Sequence, residues 1–170
     1  SGITAATFHS VCTRILRREG DRLGFTSSFT IYDSDDSQRV IKSILRSLDI
    51  SEKMFPPRMI LTEISRQKDK MITPDEYLAQ AGGDYRTLQI AKVYMQYQKT
   101  LKAANAMDFD DILCHTVRLF MENPDVLDHY QNLYKYILVD EYQDTNQVQF
   151  KLISLLSQKY KNLCVVGDDD

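Results

Sequence analysis

Two short apolar runs in the last quarter of the sequence end in carboxylates. The run Tyr136-Ile137-Leu138-Val139 precedes Asp140-Glu141, and the run Leu163-Cys164-Val165-Val166 precedes Gly167 and three consecutive aspartates that begin at Asp168. Such runs are typical of strands buried on both faces of a parallel sheet, and ligands of these sheets bind beyond the carboxyl ends of the strands. Carboxylates placed there can hold magnesium at nucleotide phosphates or activate water for attack on a phosphoryl group.

The segments around these carboxylates indicate how they are positioned. Thr145-Asn146 is a helix-start signal, and residues 147–157 have the apolar spacing of a helix. A strand, a helix and a second strand together predict a βαβ unit with both acidic ends at one sheet edge. Acids after strands also serve as turn residues and helix caps, so that interpretation stays open at this point.

The rest of the chain is predicted to be mostly helical. Residues 3–8 resemble a short strand, and the helices predicted after it are 9–23, 34–48, one that starts at Pro56-Pro57, a short one after Thr73, 85–104 and one opened by Asp108. Asn123-Pro124 ends the last of these before one or two further turns. The expected fold class is α/β, and because three strands cannot complete a covered parallel sheet, we expect a piece of a larger protein.

Composition limits the class of protein. The 170 residues are 43% hydrophobic and 26% charged, with no apolar run near the length of a membrane span and no signal-peptide pattern at the N-terminus. Three cysteines far apart indicate neither a disulfide framework nor a zinc site and favour a reducing cytosol. Residues 1–105 carry 16 basic and 12 acidic side chains, whereas residues 106–170 carry 5 and 12. This asymmetry fits polyanion contact in one part and metal coordination in the other, or merely an uneven surface.

Four motifs, in order, resemble those of the UvrD/PcrA/Rep DNA helicases of superfamily one. The segment from Ile137 to Asn146, ILVDEYQDTN, resembles the family's DExQ-type Walker B motif, and Thr7-Phe8-His9-Ser10 resembles its TFHS motif. The segment from Asn105, NAMDFDDI, is similar to its DFDDL segment. Val165-Val166-Gly167 and the aspartates that follow are similar to the start of its next motif. The amino-acid sequences of these motifs are most similar to those of the PcrA-like branch of the family.

This resemblance implies a fold and a domain organisation. The fold would be a partial RecA-like (P-loop NTPase) parallel sheet with a mostly helical inserted subdomain. Residues 1–22 would be part of the RecA-like domain 1A, residues 23–104 the helical insertion 1B, and residues 105–170 the return to domain 1A.

The resemblance also implies an activity and its residues. The parent protein would be an ATP-dependent 3′→5′ DNA helicase of the bacterial cytosol, with roles in repair or replication and with ATP and Mg²⁺ as cofactors. Asp140 would coordinate magnesium, Glu141 would be the catalytic base, and Gln143 would couple the γ-phosphate to DNA binding. Thr7 and His9 would belong to a loop that contacts single-stranded DNA. The partners of the parent protein would be single-stranded DNA and its junction with duplex. Weaker candidates for DNA-backbone contacts are Arg17, Arg18, Lys68 and Lys70. Their presence is explained equally well if they are long, solvated side chains on the surface of helices.

One part of the family pattern is absent from the sequence. None of the glycines belongs to a GxxxxGK[ST] phosphate-binding loop. The second RecA-like domain and its arginine fingers are also missing from these residues. We therefore expect the 170-residue chain to be catalytically inactive, although its parent is an enzyme.

Two other classes of function stay open on the residues alone. A metal-dependent phosphotransferase or nuclease could hold a pair of ions between Asp140 and Asp168. Alternatively, the chain could be a non-catalytic DNA- or protein-binding module. A nucleophile formed by Ser10 or Cys12 with His9 is a weaker hypothesis, since neighbours in sequence rarely form a triad.

Overall fold

The computed structural model describes residues 7–134, 137–140, 147–159 and 163–166 of the chain. The helices there are, in order, α1 (Phe8–Glu19), α2 (Ser34–Ser47), α3 (Pro57–Asp69), α4 (Pro74–Gln80), α5 (Tyr85–Ala103), α6 (Phe109–Glu122), α7 (Pro124–Leu133) and α8 (Gln147–Ser157). The strands are β1 (Thr30–Tyr32), β2 (Ala106–Asp108), β3 (Ile137–Asp140) and β4 (Leu163–Val166). Within these ranges, no helix is both long and apolar enough to cross a membrane.

The chain divides into two compact units. The first comprises Ser1–Ser28 and Ile112–Asp170, and the second comprises Phe29–Asp111. Helix α6 belongs to both, because its first three residues lie in the second unit and the remainder lies in the first.

The second unit is built around helices α2, α3 and α5. Their apolar faces meet in a core in which Ile41, Leu45, Ile60 and Tyr97 are completely or almost completely buried. The sequence periodicity predicts these helices because apolar residues recur every three or four positions on one face. Helix α4 ends before Gly82, whose φ of 64° is left-handed and suits a residue without a side chain.

A two-stranded parallel sheet in this unit corrects the expectation of an all-helical middle. β1 pairs with β2, with Thr30 opposite Ala106 and Tyr32 opposite Asp108. Each strand has only three residues, too few for an alternating pattern to stand out in the sequence. The pairing depends on residues more than 70 positions apart and therefore on tertiary structure.

The first unit contains the predicted βαβ segment. β3 and β4 are parallel, with Ile137 opposite Leu163 and Asp140 opposite Val166. Helix α8 connects them, and it buries Val148, Leu152 and Ile153. These two strands and this helix confirm the sequence prediction, whereas the RecA-like assignment stays a prediction.

Two boundaries differ from the sequence prediction in this unit. Phe8 was expected in a strand but is the first residue of α1, because Thr7 caps the helix and sets its start there. Residues 3–6 of that predicted strand lie outside the described ranges. Helix α7 is ten residues long rather than one or two turns, since Pro124 at its first position starts a helix as readily as it ends the previous one.

Candidate functional site

The carboxyl ends of β3 and β4 lie at the same edge of their sheet. Asp140 is the last residue of β3, and its register partner Val166 is the last residue of β4. The residues that follow directly are Glu141 on one strand and Gly167-Asp168 on the other. The backbone therefore ends both strands at one edge of this sheet, and Asp140 is the last residue of β3 there. The side chain of Asp140, and Glu141, Gln143 and Asp168 entirely, lie outside what the structure describes.

Helix α8 packs against α7. The side-chain amide of Gln131 donates a hydrogen bond of 2.8 Å to the carbonyl oxygen of Leu155. Gln131 is buried, so this bond satisfies a polar group that would otherwise cost free energy. This hydrogen bond helps to hold α8, the helix between β3 and β4 in the sequence, against α7.

Thr7 and His9 lie at the N-terminus of α1, where the TFHS motif caps the helix. The Thr7 hydroxyl oxygen accepts a hydrogen bond of 3.1 Å from the Ser10 backbone N–H, and the Ser10 hydroxyl donates one of 2.9 Å to the Thr7 carbonyl oxygen. Thr7 is exposed and His9 is half-buried. The helix N-terminus presents backbone N–H groups and a partial positive charge, which suit an anionic ligand.

The thiol and hydroxyl near His9 are not arranged as a nucleophile. Burial raises the pKa of the Cys12 thiol to about 12, although a hydrogen bond with Thr116 opposes this rise. Ser10 uses its hydroxyl to close the first turn of α1. Because a nucleophile needs an adjacent base or a lowered pKa, this hypothesis receives no support from the structure.

The four weaker DNA-contact candidates have different environments. Arg18 and Lys70 are exposed, and Arg17 donates a hydrogen bond of 3.0 Å to the carbonyl oxygen of Ser27. Lys68 is only 3% exposed. The expectation of a solvated side chain is wrong for Lys68, because α3 turns this residue inward towards two carboxylates.

Lys68 forms a buried ionic cluster with Asp108 and Asp111 in the second unit. Its Nζ lies 2.7 Å from Asp108 Oδ2 and 2.9 Å from Asp111 Oδ1. Asp108 Oδ2 also accepts a hydrogen bond of 2.8 Å from the Tyr97 hydroxyl, and Asp111 Oδ1 accepts one of 3.1 Å from Gln98. A buried charge is tolerated only when it is paired and hydrogen-bonded, and this cluster meets both conditions.

The same two aspartates cap helix α6. The Asp111 backbone N–H donates a hydrogen bond of 2.8 Å to Asp108 Oδ1, and the Asp108 backbone N–H donates one of 3.0 Å to Asp111 Oδ2. This reciprocal pattern is a capping box. The DFDD segment, residues 108–111, therefore ends β2, starts α6 and supplies the two carboxylates that neutralise the charge of Lys68.

Burial dominates the titration of this cluster. It opposes the charge on Lys68, but the carboxylates of Asp108 and Asp111 outweigh it and keep the pKa of Lys68 well above its usual value. Burial raises the pKa of Asp108, which Lys68 partly counteracts. Burial and the charge of Asp108 raise the pKa of the neighbouring Asp110 to about 6. Among the described residues, no group of three or more His, Cys, Asp or Glu side chains could hold a metal ion.

The comparison with known families places the chain among helicases. All of it, residues 1–170, matches the UvrD/REP helicase N-terminal domain. The chain belongs to this family. It is 48% identical over 168 residues to proteins named ATP-dependent DNA helicase PcrA from Staphylococcus epidermidis and Staphylococcus aureus. That match covers 99% of the chain and 23% of each relative, so the chain spans about a quarter of their length.

In this UvrD/REP helicase domain, the side chains that contact Asp108 and Asp111 could not be predicted from the sequence. Lys68, Tyr97 and Gln98 come from α3 and α5, and Lys68 lies 40 and 43 positions before the two aspartates that it contacts. One signal was present, since an acid at Asp108 with another three residues later is the spacing of a capping box. Nothing in the sequence marked Lys68 as the residue that would neutralise them.

Proposed function

We propose that the chain is part of an ATP-dependent DNA helicase of the bacterial cytosol that moves 3′→5′ on single-stranded DNA and separates duplex, in repair or replication. One observation carries the proposal: strands β3 and β4 are parallel and in a register that ends both at one edge, β3 with Asp140 as its last residue, and Glu141 and Asp168 come next in the sequence after the two strands. The family membership of the whole chain and the name of its relatives support the same activity.

The proposed site uses the carboxylates after β3. Asp140 would hold Mg²⁺ on the nucleotide, since a carboxylate together with substrate phosphates is the donor set that this ion prefers. The ion would neutralise charge that develops on the phosphoryl group. Glu141 would orient the attacking water and accept its proton, and Gln143 would link the state of the γ-phosphate to the DNA track.

The proposed DNA contact lies at the start of α1. Thr7 and His9 would present polar groups and helix N–H groups to the phosphates of single-stranded DNA. Exposed Thr7 is directly accessible, and half-buried His9 has a fixed backbone because its carbonyl oxygen accepts a hydrogen bond of 2.6 Å from the Thr13 hydroxyl.

The first test measures ATP hydrolysis by the full-length protein that contains these residues, with and without single-stranded DNA. For wild type we expect hydrolysis that DNA stimulates. Glu141→Gln should lower kcat by about 100-fold or more, since it removes a general base, while nucleotide binding survives. Glu122→Gln, at the exposed end of α6, is the matched control and should hydrolyse ATP like wild type.

Two results would count against the proposal. Hydrolysis that DNA does not stimulate would argue against a translocating motor. Hydrolysis that is unchanged in Glu141→Gln would argue against the assignment of the base. Divalent-ion-dependent cleavage of DNA without ATP would instead favour the metal nuclease.

A further inference from the structure

A groove in the first unit combines an apolar floor with a basic rim. It lies between α1 and α7, has a volume of about 450 Å³, and is lined by Arg14, Ile15, Arg17, Arg18, Tyr130, Leu133 and Tyr134. We call it the α1–α7 groove. Its volume suits a few side chains rather than a folded domain.

The rim of the α1–α7 groove is positively charged. Arg14 and Arg18 are exposed and lie one helical turn apart, a rise of about 6 Å. Neither forms a salt bridge with a carboxylate in the described part of the chain. Burial and the charge of Glu19 raise the pKa of Tyr130, and the side chain of Arg18 opposes this rise, but no carboxylate lines the groove. An anionic occupant is therefore favoured.

The floor of the groove is apolar and partly open to solvent. Ile15 is buried, whereas Leu133 is 57% exposed, which is high for a large aliphatic side chain. The aliphatic stems of the arginines extend the apolar surface. An occupant that fits both surfaces carries a bulky apolar group between negative charges.

The ring of Tyr130 offers no face for base stacking. It is 2% exposed, and Tyr134, Phe120 and His129 surround it at centroid distances of 6.2 Å, 6.0 Å and 4.8 Å. Tyr134 is half-buried, so the most exposed apolar side chain of the groove is the aliphatic Leu133. Because bases stack on exposed aromatic faces, this surface suits an aliphatic side chain of a peptide better than a nucleotide.

We propose that the α1–α7 groove binds a short acidic segment of a partner protein, with one bulky aliphatic side chain against Leu133 and its carboxylates at Arg14 and Arg18. This interaction is independent of the proposed ATP hydrolysis. If the peptide does not bind, the proposed ATP hydrolysis is therefore unaffected, and if ATP is not hydrolysed, the proposed peptide binding is unaffected.

The test uses the full-length protein and a fluorescein-labelled peptide with a central leucine between two acidic residues on each side. Fluorescence anisotropy should show saturable binding. Arg14→Glu should weaken it by about tenfold, because an attractive charge pair becomes repulsive. Leu133→Asn should also weaken it by about tenfold, because an apolar contact is lost. Both residues are exposed, so both variants are expected to fold.

A charge control and a peptide control make the test specific. Lys42→Glu reverses an exposed charge on α2 and should change binding by less than about twofold. A peptide with glycine in place of leucine should bind clearly more weakly.

Four outcomes would overturn the proposal. The first is that the leucine peptide shows no saturable binding. The second is that the glycine peptide binds equally well, and the third is that Lys42→Glu weakens binding as much as Arg14→Glu does. The fourth is that an oligothymidylate displaces the peptide and that this displacement requires Arg14. The last would identify nucleic acid as the occupant.

Discussion

At the scale of single residues, the most informative position is Lys68. Its ammonium is 3% exposed and lies within 2.9 Å of two carboxylates that belong to the DFDD segment. A charge in this environment is stable only while its partners are present. The motif that resembles a family signature is thus one half of a buried ionic cluster, and the other half comes from a distant helix.

Lys68→Met should strongly destabilise the protein. Methionine keeps the length of the side chain but leaves Asp108 and Asp111 buried without a counter-charge. We expect the free energy of unfolding to fall by about 3–5 kcal/mol. Urea unfolding followed by circular dichroism measures this change.

Lys70→Met is the matched control, because Lys70 is an exposed lysine at the end of the same helix. It should change stability by no more than about 0.5 kcal/mol. Equal effects of the two substitutions would contradict the role of the cluster.

Asp110 should make stability depend on pH. The pKa of its carboxyl is about 6 in the folded protein, against the ordinary aspartate value of 3.8, chiefly because of burial. Between these pH values the unfolded chain has lost a proton that the folded protein retains. Its contribution to the free energy of unfolding therefore falls as pH rises from about 4 to about 6 and is constant above that range.

Asp110→Asn should remove this contribution, so the stability difference between variant and wild type should shift in favour of the variant as pH rises from 4 to 6. Urea midpoints at several pH values measure the difference. Asp35→Asn, at an exposed position on α2, is the control and should show no such trend. A constant difference for Asp110→Asn would show that its pKa is ordinary in the folded state.

At the scale of elements, helix starts are specified by local side chains. Asp33 caps α2 and forms a complete capping box with Asp36, with hydrogen bonds of 2.8 Å and 3.1 Å. Thr7, Thr73 and Asp84 cap α1, α4 and α5 in the same way. These interactions span three residues, which is why the sequence predicted most helix starts closely.

Asp33→Ala should lower the free energy of unfolding by about 1 kcal/mol, because the backbone N–H of Asp36 loses its acceptor at the N-terminus of α2. Thermal unfolding followed by circular dichroism detects such a change. Asp35→Ala, two positions further along, removes an acid of the first turn without removing a cap and should cost clearly less. If both variants unfold at the same temperature, the cap contributes nothing measurable.

The short strands were the elements that the sequence did not reveal. β1 and β2 gain their stability from pairing with each other, and the Thr30 backbone N–H also donates a hydrogen bond of 3.0 Å to Asn105. A three-residue strand has almost no pattern of its own. By contrast, β3 and β4 have four residues each, all apolar except Asp140, and the sequence predicts both strands and their parallel arrangement.

At the scale of the whole molecule, the 170-residue chain should not hydrolyse ATP by itself. It contains no GxxxxGK[ST] loop, so the backbone N–H groups and lysine that hold the nucleotide phosphates are absent from it. The purified chain should release no more phosphate than buffer, with or without single-stranded DNA, in a coupled phosphate assay.

The Glu141→Gln variant of the chain serves as the control. Phosphate release that is the same in wild type and variant would indicate a contaminating enzyme. Release that disappears in the variant would prove the chain active and would contradict the prediction.

The sequence by itself determined the order of the helices, the parallel pair that ends at Asp140, and membership of a helicase family. Each depends on local periodicity, caps within three residues or contiguous motifs, which a linear chain displays directly. Only the tertiary structure decided that Lys68 is buried, that Tyr97 and Gln98 complete its cluster, and that β1 pairs with β2. These depend on contacts between residues distant in sequence, where burial turns an ordinary lysine into the counter-charge of two aspartates.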